Sequence, residues 1–253
     1  MESTNLLSRI EDAGLNASAP PQQRLLDGWL LRFSPGKAKR ARCVNAIAPG
    51  RLPLSEKLSL CEEAYARVGL PLIVRITPFS EPPTLDETLR ASGFERFDDT
   101  RVMVLANLST LAPASLHLQL RAVGADEYAQ AIGALRDSPP SQREAHAHRM
   151  RCSPVAYRGF VAERGGQTIA CGQYVVEADV AGLYDVFTVP GYRGQGLAGS
   201  LCAELLHRAR ADGASCAYLQ VEGDNHTARS VYARLGFADA YAYHYRSREP
   251  QLA

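Results

Sequence analysis

Along this chain the apolar positions alternate between two rhythms, a period of two that marks half-buried strands and a three-to-four repeat that marks one-sided helices. Residues 118–123 predict a strand. Residues 126–136 predict a helix capped at Asp126, and about 142–150 a second helix after the break Ser138-Pro139-Pro140-Ser141. Residues 157–163 and 167–177 predict a hairpin across Gly165-Gly166, and 183–189 continues the meander. Leu197, Leu201 and Leu205 then recur at i, i+4 and i+8, with Ala198, Cys202, Leu206 and Ala209 beside them, in a helix closed by Gly213. A strand over 216–221, a short helix between Asn225 and Gly236, and an alternating run over 241–246 complete the order.

The first half repeats the later part of that order. Residues 28–33 and 42–47 read as hairpin partners, followed by a helix (54–68), a strand (72–76), a helix (84–92) and a strand (101–108). Ala48-Pro49-Gly50, Gly69 and Gly93-Phe94 punctuate it as Val189-Pro190-Gly191, Gly213 and Gly236-Phe237 punctuate the second half. This implies a degenerate internal duplication, with Leu111-Ala112-Pro113 as the joint: one domain over 1–112 and another over 113–253. Ahead of the first hairpin, residues 6–13 are helix-like and 18–21 an extended arm, with no chemistry expected in either.

The two halves differ where a strand turns into a helix. In Val189-Pro190-Gly191-Tyr192-Arg193-Gly194-Gln195-Gly196-Leu197-Ala198, the ladder is stopped by Pro190-Gly191 and the glycines sit at a helix N-terminus. First-turn N–H groups there lack intrahelical partners and carry the positive dipole end, so the loop suits a phosphate or pyrophosphate, with Arg193 adding a full charge. The first half has Arg51-Leu52-Pro53-Leu54-Ser55 instead, a start blocked by side chains and proline.

Composition narrows the class. With 28 Lys and Arg against 27 Asp and Glu, a general polyanion binder is not expected, and the basic cluster Lys37, Lys39, Arg40 and Arg42 reads as a solvated turn, so no nucleic-acid partner is expected. No uncharged apolar run approaches membrane-spanning length, so no membrane partner is expected. Cys43, Cys61, Cys152, Cys171, Cys202 and Cys216 have no metal-ligand spacing and read as buried thiols of a cytoplasmic protein, with no metal site expected.

Two motifs in order, Arg193-Gly194-Gln195-Gly196-Leu197-Ala198 and Asn225-His226-Thr227-Ala228-Arg229-Ser230-Val231-Tyr232-Ala233-Arg234-Leu235-Gly236-Phe237, resemble the GCN5-related N-acetyltransferase (GNAT) superfamily. Its acyl-CoA signature, Arg/Gln-x-x-Gly-x-Gly/Ala, is met by Arg193, Gly196 and Ala198. Its later Asn-x-x-Ala-x-x-x-Tyr-x-x-x-Gly-Phe is met by Asn225, Ala228, Tyr232, Gly236 and Phe237. The resemblance spans about 116–246 and implies an α/β (α+β) GNAT fold, with a mixed, mostly antiparallel sheet flanked by helices, in a tandem GNAT-like arrangement. It also implies acetyl-CoA as co-substrate and an amine acceptor, in a monomer or homodimer. The strand residues Phe187, Thr188 and Val189 would meet the pantetheine and thioester. Arg193, Gly194, Gln195, Gly196, Leu197, Ala198 and Gly199 would hold the pyrophosphate. Asn225 and Ala228 would support the pantetheine side, and Tyr232 stands where the family places its general acid. The helix pair would put Arg136, His146, His148 and Arg149 toward the acceptor.

The general base is left open. Many relatives carry a glutamate where this chain has Gly182 or Gln220. Tyr184, Asp185, Glu222 and His244 are candidates beside relay to bulk water, and strand alternation predicts Tyr184 on the face of Val186 and Thr188, opposite Asp185. The expected activity is direct transfer to the primary amine of a small molecule. The alternatives are a protein N-terminus or lysine as acceptor, and a non-catalytic acyl-CoA sensor.

Overall fold

Alternation and helical period become eleven strands and seven α-helices in the computed structural model, which describes residues 2–114 and 118–248. In chain order they are α1 (Glu2–Ala17), β1 (Gln22–Leu26), β2 (Trp29–Phe33), β3 (Val44–Ala46), α2 (Leu54–Ala66), β4 (Val74–Ile76), α3 (Leu85–Ala91) and β5 (Glu95–Leu105). Then follow β6 (Leu120–Val123), α4 (Ala125–Leu135), α5 (Pro140–Arg151), β7 (Tyr157–Arg164), β8 (Gln167–Glu177), β9 (Val180–Thr188), α6 (Leu197–Ala211), β10 (Cys216–Glu222), α7 (His226–Arg234) and β11 (Ala238–Ser247). The pairings are mostly antiparallel, with β3 parallel to β4 and β9 parallel to β10.

The chain groups into two compact units, each discontinuous: residues 1–17 with 101–240, and 18–100 with the chain from 241 on. A contiguous break at 112/113 is what the sequence predicts; the observed grouping instead sends α1 to the later unit and most of β11 to the earlier one. In the larger unit, α6 packs Leu197, Leu201, Leu205 and Leu206 on one sheet face, and Tyr128, Ile132 and Met150 of α4 and α5 cover the other. In the smaller unit, Trp29, Leu31, Val44, Tyr65, Leu85 and Leu89 make a separate core.

Both units contain a hairpin, a helix, a parallel strand and a second helix: β2–β3–α2–β4–α3 and β8–β9–α6–β10–α7. The strand after the second helix goes elsewhere. Residues 244–246 of β11, which follows α7, pair antiparallel with 74–76 of β4, and β5, which follows α3, neighbours β10. The repeat read from the glycines is therefore repeated topology, with the closing strands exchanged.

Four local expectations change. Strand β1 joins β2 through Asp27-Gly28, both at positive φ (44° and 83°), the two-residue turn that favours a hairpin. Its pattern is almost wholly exposed, so it carries no hydrophobic alternation. Strand β5 starts at Glu95 rather than 101; its first residues are charged and mostly exposed and Asp98 is left-handed (φ 52°), so apolar alternation does not mark that start. Helix α4 is capped at Gly124 without a side-chain bond, while Asp126 pairs with Arg151. Cys152 is exposed, whereas the other five cysteines are buried. Among the described residues no helix is long and apolar enough to cross a membrane.

Candidate acyl-CoA and acceptor site

Strand β9 ends where the glycine loop begins, and its last residues have lost one neighbour. The parallel ladder with β10 runs only from Val180↔Cys216 to Leu183↔Leu219. Beyond it lies a cleft of about 1340 Å³, lined by Val186, Phe187 and Thr188 of β9, by Arg193, Gly194, Gly196, Leu197, Ala198 and Gly199, and by Asn225, Ala228 and Tyr232. Gly194 and Gly196 have φ of 75° and 77°, and Gly196 is the N-cap of the 15-residue α6, with no side-chain cap. That left-handed start is one only glycine adopts cheaply, and it leaves first-turn amides open to an anion. Arg193 donates from Nε to the Thr188 carbonyl at 3.1 Å, and its guanidinium lies 5.7 Å from the Phe187 ring. Arg136 approaches the same ring at 5.7 Å. The Thr188 hydroxyl is buried without a partner among the described residues.

Asp185 is not on the face that alternation predicts. The β8–β9 register shifts between Gln173↔Tyr184 and Cys171↔Phe187, giving β9 one extra residue, and Asp185 takes a left-handed φ of 49°. The bulge places the Asp185 side chain with Gln173, the cross-strand partner of Tyr184, while Val186 packs with the α6 side. Its carboxylate accepts from Arg136 at 3.0 Å and from Gln173 Nε2 at 2.9 Å, with His146 Nε2 at 3.2 Å, and the Asp185 carbonyl accepts from the Tyr128 hydroxyl at 3.0 Å. Burial pushes its pKa up, but the hydrogen bond and charge of His146 and the charges of Arg136 and Arg149 outweigh it and hold the carboxyl far below the usual range. A carboxylate so held is a weak proton acceptor.

The remaining candidates separate. The Tyr232 hydroxyl has no hydrogen-bond partner among the described residues, its ring meets Phe237 edge-on at 6.2 Å, and burial followed by the nearby Cys202 raises its pKa well above the phenol value. The Asn225 side chain accepts from the Ala228 amide at 3.1 Å, capping α7. Tyr184 and Tyr218 share a short hydroxyl contact, and a Cβ on Gly182 would fall 2.7 Å from both side chains. The tyrosine pair thus occupies the space of a residue-182 side chain. Glu222 is exposed at the end of β10. His244 belongs to the smaller unit, where its Nε2 lies 2.8 Å from Asp86, and it is not among the residues lining the cleft. Arg149 reaches the Tyr157 hydroxyl at 3.0 Å and the Ala17 carbonyl at 3.4 Å, so α1, expected to carry no chemistry, borders this side. His148 lies instead beside exposed Cys152, 3.5 Å from its sulfur.

Residues 128–237 match the family model described as Acetyltransferase (GNAT) family. These residues form a GNAT-family domain. The chain is 26% identical over 232 residues to the uncharacterized N-acetyltransferase YobR of Bacillus subtilis, covering 88% of this chain and 91% of that one. Its fold matches a GCN5-related N-acetyltransferase from Kribbella flavida with a TM-score of 0.73 at 17% identity, covering 96% and 95% of the two chains. It also matches a tandem GNAT protein from the clavulanic acid biosynthesis pathway, with a TM-score of 0.60 at 16% identity, covering 81% and 73%. Residues 128–237 are therefore an acetyltransferase domain of the GNAT family, in the mixed, mostly antiparallel sheet expected of that fold.

The smaller unit repeats the helix-opening loop with a different filling. The Asp27 carboxylate accepts from the amides of Arg51 and Leu52 at 2.9 Å and pairs with Lys57 Nζ at 2.9 Å. Those bonds, from Arg51, Leu52 and then Lys57, hold its pKa far below the carboxylate range. Neither this plug nor Gln173 is named by the sequence reading. Asp-Gly in a turn signals the first, and one amide inside the apolar run Ala170-Cys171-Gly172-Gln173-Tyr174-Val175-Val176 signals the second.

Proposed function

We propose that this protein transfers the acetyl group of acetyl-CoA to the primary amine of a small molecule. The observation that carries the reading is the cleft where β9 parts from β10 above the open N-terminus of α6. A strand edge that has lost its ladder offers backbone groups to a pantetheine amide, and unpaired helix amides beside Arg193 offer a phosphate site. Glycines at positive φ, exposed amides and the unpartnered Thr188 hydroxyl fit such a ligand.

Acetyl-CoA, when bound, supplies the activated thioester. The Val189 N–H already donates to the Ile169 carbonyl at 3.0 Å, so a backbone N–H of β9 between Val186 and Thr188, on the edge facing the cleft, would polarise the thioester carbonyl. The Tyr232 hydroxyl holds a proton for the departing thiolate. A free phenol and a free thiol differ by about 1.5 pKa units, roughly 2 kcal/mol uphill, and burial widens the gap, so Tyr232 acts chiefly by hydrogen bonding to developing charge. Asp185 is assigned to positioning, since it orients Arg136 and His146 and is too weak a base to take the ammonium proton. Tyr184 is bonded to Tyr218 and shapes the wall. The amine attacks in its neutral form, favoured by the cationic surroundings of α5, and releases its proton to water.

Tyr232→Phe tests this reading. Turnover should fall about 10- to 100-fold while acetyl-CoA affinity stays unchanged, read by thiol release and by calorimetry. A protein that binds acetyl-CoA yet shows no turnover with any amine is a sensor instead.

A further inference from the structure

A second cavity of the same unit, about 350 Å³, lies between the N-terminus of α4, the end of α5, and strands β7 and β8. Tyr128, Met150 and Tyr157 give it an aromatic and apolar wall, and Gln173 lines it. Gln173 is only 1% exposed. Its Nε2 donates to the Asp185 carboxylate, and an ionised carboxylate only accepts, so this amide has one allowed orientation. Its Oε1 is buried and has no hydrogen-bond partner among the described residues. Such an oxygen is costly until a donor reaches it.

Charge narrows the visitor. Among the described residues the one ionised side chain lining the cavity is Arg151, already paired with Asp126 and, at 3.2 Å, with Glu144. No carboxylate among the described residues lines it, so a polycation entering would lose hydration without a counter-charge. The volume lies at the small end of ligand pockets. The cavity is also tied to the acyl-CoA cleft: Gln173 is bonded to Asp185, Asp185 to Arg136, and Arg136 lines the cleft.

Resting on the acetyltransferase reading, we infer that this cavity holds the acceptor and selects a compact monoamine with an apolar or aromatic body, whose N–H or O–H donor is read by Gln173 Oε1. Polyamines and aminoglycoside-like polycations are disfavoured. The same lack of carboxylates keeps the bound amine neutral, the form that attacks.

The test measures thiol release from acetyl-CoA with phenethylamine and tyramine against spermidine and kanamycin. The monoamines should show the higher kcat/KM, by about tenfold or more, and Gln173→Leu should raise the monoamine KM about tenfold at unchanged acetyl-CoA KM. Ala156→Trp, at the exposed rim of the cavity, should raise the same KM by filling it, and keeps the test open if Gln173→Leu does not fold. Preference for the polycations, or an unmoved monoamine KM in folded Ala156→Trp, overturns this inference and leaves the acetyltransferase reading standing. Silence with every amine overturns both.

Discussion

Two loops in this chain follow a hairpin and open a helix, and they have opposite fates. Before α6, Gly194 and Gly196 hold the backbone at positive φ, and the loop lines a wide cleft. Before α2, the amides of Arg51 and Leu52 are already bonded to the Asp27 carboxylate, and Lys57 closes the cluster. One loop is open to an anion from solution; the other is filled by an anion from its own chain. The surrounding topology is the same, so the fold alone does not decide ligand binding. The Asp27 bonds fall on the two amides just ahead of the N-cap Pro53, so the approach to α2 is occupied, whereas the approach to α6 is made of glycines.

The most severe way to break the contrast is Gly196→Val. A β-branched residue at φ 77° is strained and its side chain enters the anion site, so acetyl-CoA affinity should fall on the order of 100-fold by calorimetry. An unchanged Kd would remove the loop from the phosphate site. The mirror change is Gly50→Ala, whose Cβ would lie 2.1 Å from Asp27 Oδ2 and 2.4 Å from the Asp27 carbonyl. It should cost about 1–3 kcal/mol of stability in denaturant titrations yet leave acetyl-CoA binding unmoved. Asp27→Asn sharpens the point further: the thermal midpoint should drop, while calorimetry still finds one acetyl-CoA per chain, because Arg51, Leu52 and Pro53 keep the second loop closed to phosphate. A second molecule bound would show that Asp27 alone was the block.

The gentlest probe is pH. The hydrogen bond from Arg246, against a burial penalty and with help from His244, holds Asp86 at about 2, and Asp27 is held low by its own bonds. Unfolded carboxylates near 3.9 bind protons first as pH falls, so this stabilisation is complete above about pH 4 and is lost toward pH 2. Urea midpoints should be insensitive to these groups near neutrality and decline below about pH 4, with a shallower decline in Asp86→Asn. An identical acid profile in that variant would exclude Asp86 as a contributor.

Much of the site was legible because its signals are local. Glycines bracketed by Pro190 and Leu197 state a strand stop, a left-handed turn and a helix start within a few residues, and Asn225 caps α7 as its type predicts. Asp185 is a candidate in the sequence but on the wrong face, because period-two alternation fails at a bulge, and a bulge depends on how two strands register. His244 is also a candidate in the sequence, because sequence order places β11 after α7, while its pairing partner is β4. Asp27-Gly28 was readable as a turn but not as a plug, since Arg51 lies 24 residues away.

By itself, then, the amino-acid sequence determined the order of most elements, the repeated hairpin–helix–strand unit, the glycine turn that opens α6 and the GNAT domain around it. Each rests on residue type and short spacing, where backbone preference dominates. Only the tertiary structure decided which strand completes which sheet, on which face Asp185 stands, that α1 borders the Tyr157 side, and that Asp27 fills the second loop. Those outcomes come from competition among distant segments for the same unpaired backbone groups, and the winner is set by packing that no single stretch encodes.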